Sequence, residues 1–303
     1  MNALNKAPVR ADDRPVAGVV YMILSGLCFV GLTAGVKHMG ADLPAAQTAF
    51  LRYLLGLVYV LPVIGRIRHE TLDAATWRAF GFRGMVHTFA VMLWFFSMTR
   101  IPLAEVSAMG YLSPIYVSIG AALFLGERLR LRRILAIVAA IVGALIILRP
   151  GLRALNDGHF AMLLSTALMA MSYLTAKTLS GRASPTVIVG MLSLTVTVGL
   201  APFAWAVWQP VTTTQLGWLF LLATCATGGH YLMTFAFAAA PITVTQPVNA
   251  LQLVWSVSLG ALFFGEPVDL WVVLGGVLIV SAVIFIALRE SQLKRASAKV
   301  IPT

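Results

Sequence analysis

An all-α polytopic membrane protein with ten transmembrane helices, arranged as two inverted five-helix repeats around a central cavity, is the fold class that three features of the 303-residue sequence predict. The composition is 59% hydrophobic and only 11% charged, with a mean hydropathy of +0.89, which a water-facing surface does not tolerate. Breaks at proline, glycine and charge clusters leave about ten apolar segments. At about 1.5 Å per residue each can cross roughly 30 Å of hydrocarbon. The third feature is an internal repeat: IPLAEVSAMGYLSPIYVSIGAALFLGERLRLRR from Ile101 returns, altered, as APITVTQPVNALQLVWSVSLGALFFGEPVDLW from Ala240. Pro102 answers Pro241 and Glu127 answers Glu266, 139 positions on in both cases.

Taken in order, the polar tail 1–14 precedes a run from Pro15 that exceeds the apolar region of a cleaved signal peptide and reads as a retained first span. Further spans are predicted over 45–64, 76–99, 102–125 and 131–149, completing a first half over 15–149. A linker, 150–157, leads to spans over 158–180, 184–208, 214–239, 242–264 and 269–289, a second half over 158–289, and a tail over 290–303. The segments are about twice the length of a barrel strand and lack strict alternation, so they are read as helices. Gly18 answers Gly158 and Lys37 answers Lys177, 140 positions on, which carries the repeat through both halves. Five is odd, so the second copy enters the membrane from the opposite face. Pro114 has Leu253 as its counterpart while the second copy carries Pro247, and the two copies are therefore expected to kink at non-equivalent positions.

The formal charge of +11 sits in short clusters between apolar runs, where it orients a membrane protein rather than binding nucleic acid. With both termini cytoplasmic, Arg66, Arg68, Arg78, Arg83, Arg128, Arg130, Arg132 and Arg133 fall inside, against Arg100, Arg149 and Arg153 outside. Cys28 and Cys225 each lie in an apolar run without a neighbouring His or Cys, which suggests hydrophobic filler rather than a disulfide or metal site. No cofactor motif appears, and no nucleophile stands beside a base, so no catalytic residues are assigned and an enzyme is the weaker reading.

Polar groups at mid-membrane are costly and are the first candidates for a substrate path. Ser107, Gly110 and Ser113 share one helical face, and the repeat carries them to Gln246, Asn249 and Gln252. Looking into one cavity, these hydroxyls and amides are suited to an amino acid's ammonium and carboxylate; the competing reading is polar glue between helices. His87 and His230 fall near mid-membrane, where an imidazole binds a carboxylate or takes up a proton, or simply packs. Trp94, Tyr111, Tyr231 and Trp255 offer faces to aromatic or cationic substrates, or serve as ordinary packing and lipid-facing residues. Pro114 and Pro247 free backbone carbonyls beside the polar faces and are candidate hinges. Glu105 and Arg52 lie at nearly matching depths and are expected to pair, with a coupling or gating role set against a fixed structural pair; Lys37 snorkels to the interface or competes for Glu105. Glu127 and Glu266 sit at segment ends as candidate caps or gate contacts, and Gly31 with Gly35 forms a small-residue packing pair, while Gly275 and Gly276 permit close helix approach.

The paired GE terminators, the Arg52 of AFLRYLLG and the run PLAEVSAMGYLSPIYV leading to LFLGERL together resemble the drug/metabolite transporter superfamily, EamA type, over nearly the whole chain. Within it the sequence is similar to bacterial exporters of amino acids, aromatic ones foremost. The resemblance implies ten helices around a cavity, alternating access, export through the inner membrane, and no cofactor or metal. The partners expected are the lipid bilayer and a small-molecule substrate, with other metabolites or drugs as alternative cargo. Nothing in the sequence sets the oligomeric state, and a monomer is compatible with it.

Overall fold

A computed structural model describes residues 15–40, 42–61, 72–125, 131–152, 154–179, 182–240 and 242–300. Glu127 lies outside these, as do the side chains of Lys177, Gln246 and Pro247. Every element of length is helical: α1 (Pro15–Met39), α2 (Ala45–Gly56) with a 3-10 turn over Leu57–Tyr59, α3 (Ala74–Met98), α4 (Leu103–Gly110), α5 (Leu112–Leu125), α6 (Leu131–Leu148), α7 (Asp157–Leu179), α8 (Pro185–Ala206), α9 (Thr213–Ala239), α10 (Ile242–Asn249), α11 (Leu251–Phe264) and α12 (Leu270–Val300). Eight stretches of described helix are long and apolar enough to span a membrane, and α4 with α5 counts among them as one. This is a multi-pass membrane protein.

Local chemistry sets the helix ends. Asp73 caps α3 by accepting the Thr76 N–H at 2.9 Å, Ser184 caps α8 ahead of Pro185, and Thr212 with Gln215 forms a reciprocal capping box on α9. Gly265, at φ 62°, ends α11 in the left-handed conformation that glycine adopts without strain. At the other end of the chain, α12 continues past the predicted span end at 289 to Val300, because RESQLKRASAK is rich in strong helix formers.

The two broken helices correct one expectation. The interruption between α4 and α5 falls at Tyr111 and that between α10 and α11 at Ala250, equivalent positions 139 apart, although the prolines are not equivalent. Proline therefore does not place the second break. The two interruptions meet instead, the Tyr111 hydroxyl donating to the Asn249 carbonyl at 2.7 Å, which satisfies an acceptor left at the end of α10.

Packing follows the repeat. Helix α1 packs on α9 as α7 packs on α3, α2 on α9 as α8 on α3, and α1 on α11 as α7 on α5. Helices α6 and α12 cross at Gly143 and Gly275, where a Cβ on either residue would stand 2.7 or 2.5 Å from the other's carbonyl oxygen. Of the Gly31 and Gly35 pair, only Gly35 is at a close contact, against Leu222 of α9; a Cβ on Gly31 would meet nothing within 4 Å.

Hydrogen bonds gather five connections at one face of the bundle. Lys37, after α1's last turn begins, reaches the Ile101 carbonyl at 3.1 Å and Glu266; the Asn156 amide reaches the Arg100 carbonyl at 2.9 Å; Arg149 pairs with Asp269; and Gln47 holds both backbone groups of Gln209 at 2.8 and 2.9 Å. This far face thus receives the C-terminal ends of α1, α3, α6, α8 and α11 and the N-terminal ends of α2, α4, α7, α9 and α12. The near face carries the start of α1 and the end of α12.

Candidate functional site

At the far face each described acidic side chain buried in the network has a cationic or imidazole neighbour. Glu105, in the first turn of α4, lies 2.8 Å from His159 Nε2, the two side chains only 3% and 5% exposed. Glu266 pairs with Lys37 and also accepts the Leu103 N–H at 2.9 Å, capping α4 from the connection between α11 and α12. The expected Glu105–Arg52 pair is therefore corrected, and so is the contest of Lys37 for Glu105. The physical reason is depth: His159 and Glu266 sit at the same level as the start of α4, whereas Arg52 is seven residues, about 10 Å, inside α2. His159 escaped the sequence reading because Glu105 and His159 are 54 residues apart and only the fold of the far face joins them.

A second polar group lies at mid-membrane. Arg52 projects from α2 with its guanidinium 3.8 Å from the Tyr53 ring centroid. Arg83, nine residues into α3, is 6% exposed and donates Nη1 to the Ile188 carbonyl at 3.0 Å. Arg83 is thus a membrane-interior residue and not the cytoplasmic loop charge that its neighbours in sequence suggest. One turn on, His87 Nδ1 meets the Ser172 hydroxyl at 3.0 Å, and Arg52, Arg83 and His230 all lie within electrostatic range of His87. His230 makes an edge contact with Phe29 at 4.9 Å between centroids. Tyr173 of α7 neighbours both Arg83 and Tyr53, yet it is 46% exposed, and His230 is also open. Tyr173 and His230 thus keep accessible surface next to side chains of α3 and α2. The signal that points to Arg83 in the sequence is its spacing of four from His87, which puts both on one helical face.

The remaining candidates divide. Ser107 meets the Ser256 hydroxyl at 2.5 Å and Ser113 donates to the Thr166 carbonyl at 3.3 Å, so these hydroxyls join α4 to α11 and α5 to α7. Trp255 fills the notch over Gly26, and Trp94 packs edge-on to Phe95. Tyr231 is 52% exposed, while Asn249 and Gln252 are half-buried. Pro114 is exposed on α5. Among the described residues no group of three His, Cys, Asp or Glu side chains is placed to hold a metal ion.

Comparison with known proteins accords with this architecture. The chain matches the EamA-like transporter family over residues 16–149 and 156–288. It is 31% identical over 303 residues to a riboflavin transporter of Rhizobium johnstonii, covering 98% of this chain and all (100%) of the relative. The pseudopaline exporter CntI of Pseudomonas aeruginosa is 29% identical over 88% of this chain and 95% of its own. An S-adenosylmethionine uptake transporter of Rickettsia bellii is 24% identical over 94% and 97%. A solved crystal structure covers 92% of this chain and 99% of its own with a TM-score of 0.59 at 16% identity, a likeness of fold alone. Two matched halves, near-complete coverage of transporters and a polar cluster in the middle of a membrane bundle lead to one conclusion: the chain belongs to the EamA-like transporter family and is a membrane transporter, not an enzyme.

Proposed function

We propose that this protein is a secondary transporter that moves small organic molecules across the bacterial inner membrane by alternating access, with ten spans formed as two inverted five-helix halves, 15–149 and 158–289, around a central hollow. The observation that carries the reading is the mid-membrane cluster of Arg52, Arg83, His87 and His230 beside that hollow, behind a far face laced by paired side chains. The inverted arrangement is supported by the helix ends, because each helix of the first half meets the far face by the end opposite to that of its counterpart. The bias of Lys and Arg supports cytoplasmic termini and makes the far face external.

Amino acids, aromatic ones foremost, are the proposed cargo, and export is the proposed direction. The relatives carry riboflavin, pseudopaline and S-adenosylmethionine, so the same scaffold is compatible with larger molecules. They include an exporter and an uptake transporter, and an alternating-access cavity runs down whichever gradient it meets. Interruptions at Tyr111 and Ala250, with Pro114 and Pro247 nearby, are the proposed flexing points, and Lys37 with Glu266 is the proposed external gate contact. Counterflow in proteoliposomes tests the reading: saturable, trans-stimulated exchange of a radiolabelled substrate is expected. A linear, non-saturating flux identifies a channel and defeats the proposal.

A further inference from the structure

Arg52 and Arg83 are two cations inside the helix bundle, and no described acidic residue pairs with either. The chain has 11 acidic residues, and none falls within the membrane-interior part of a helix. Asp42, Glu105, Asp157, Glu266 and Asp269 are at the far face and Asp73 is at the near face; the other five, Asp12, Asp13, Glu70, Glu127 and Glu290, belong by sequence to tails and connections. Neither guanidinium makes an ion pair among the described residues, and the Nε of each is buried without an acceptor. Arg83 commits one N–H to the Ile188 carbonyl, leaving most of its five donors for something else. A structural arginine buried at this depth is ordinarily surrounded by acceptors or matched by a carboxylate. Here like charges stand within reach of one histidine, and the tyrosines Tyr53 and Tyr173 add rings and hydroxyls beside Arg52 and Arg83.

We infer that the molecule bound in this hollow is an organic anion with a planar body, its carboxylate or phosphate held by Arg52 and Arg83 and its rings lying against Tyr53, Tyr173 and His230. This rests on the transporter reading and deepens it by fixing the charge of the cargo. A guanidinium matches a carboxylate or phosphate by paired N–H donors, and a neutral amide of the same shape leaves those donors unanswered.

The test uses the full chain purified in detergent and in proteoliposomes. Matched probes are benzoate with benzamide, indole-3-acetate with indole-3-acetamide, and riboflavin 5′-phosphate with riboflavin, and binding is read by thermal shift. At least one acid is expected to bind about tenfold more tightly than its neutral partner, a preference erased in R83Q and in R52Q and kept in part by R83K. If R83Q does not fold, R52Q and R83K decide by the same readout. The inference is overturned if neutral probes bind as well as acids, if no acid binds, or if the preference survives both glutamine variants. Inorganic phosphate giving the full Arg83-dependent shift, with no organic acid competing, also overturns it by identifying a resident inorganic counterion. Saturable counterflow of a neutral probe in any of those cases leaves the transporter reading standing. Absence of saturable counterflow with every probe removes that reading instead.

Discussion

The far face and the middle of the bundle treat charge in opposite ways. At the far face Glu105 meets His159, Glu266 meets Lys37 and Asp269 meets Arg149, and each contact ties together helices distant in sequence. At mid-membrane Arg52 and Arg83 have carbonyl and ring contacts but no carboxylate among the described residues. A charge matched by the fold is a structural element, because its cost is offset within the protein. A charge left unmatched in a low-dielectric interior is costly, and in the proposed reading it answers a ligand that arrives from outside. Stability is thus expected to reside in the first region and activity in the second.

The sharpest break in that comparison is the double variant R52Q/R83Q. It is expected to lower kcat/KM for transport by about 100-fold or more while leaving thermal stability in detergent within a few degrees of the parent. Parallel losses of both would place the arginines with the far-face pairs. Next in size is E266Q, which leaves Lys37 half-buried without its carboxylate and weakens the acceptor for the Leu103 N–H. The pair keeps partial contact with solvent, so a loss of about 2 kcal/mol is expected in thermal unfolding, and a double-mutant cycle with K37M should show coupling. An additive cycle would mean that the two side chains do not support one another.

Q47A comes third. It removes both hydrogen bonds to the Gln209 backbone and strands buried groups, which is expected to cost about 1–2 kcal/mol in the same assay without changing substrate affinity. The smallest effect belongs to the near face, at Asp73. Its bond to the Thr76 hydroxyl, together with that to the Thr76 N–H, holds its carboxyl below the ordinary aspartate value. A folded pKa below the unfolded one gives stability that is present above the unfolded pKa, near about 3.9, and is lost as pH falls through the folded value. D73A should therefore be slightly less stable than the parent at neutral pH and indistinguishable at the acid limit, as followed by circular dichroism. A gap that persists at the acid limit would show that the carboxylate's charge plays no part.

Much of this architecture is legible in the residues. Helix limits from Pro15, Leu103, Leu131, Thr213 and Leu270 fall within a few residues of those read from apolar runs and breakers, because a span must satisfy its own backbone and have a minimum length. The candidate site was legible only in pieces. Arg52, His87 and His230 stand out as polar residues in apolar runs, but Arg83 hides among interfacial arginines, and the partners of Ser107 and Ser113, Ser256 and Thr166, lie on other helices. Which side of a helix faces a cavity and which faces another helix depends on neighbours about 50 to 150 residues away, and periodicity within one helix carries no record of them.

From the chain alone, then, come the membrane-spanning helices, the duplication at 139 to 140 positions and the family resemblance, all consequences of local composition and order. The tertiary structure alone decided that Glu105 belongs to His159 and Glu266 to Lys37, that the helix breaks at Tyr111 and Ala250 coincide under the repeat, and that Arg52 and Arg83 both lie within electrostatic range of His87. The reason is that electrostatic partnership is set by distance in space. Only the packing of distant helices determines which charges are matched and which are not.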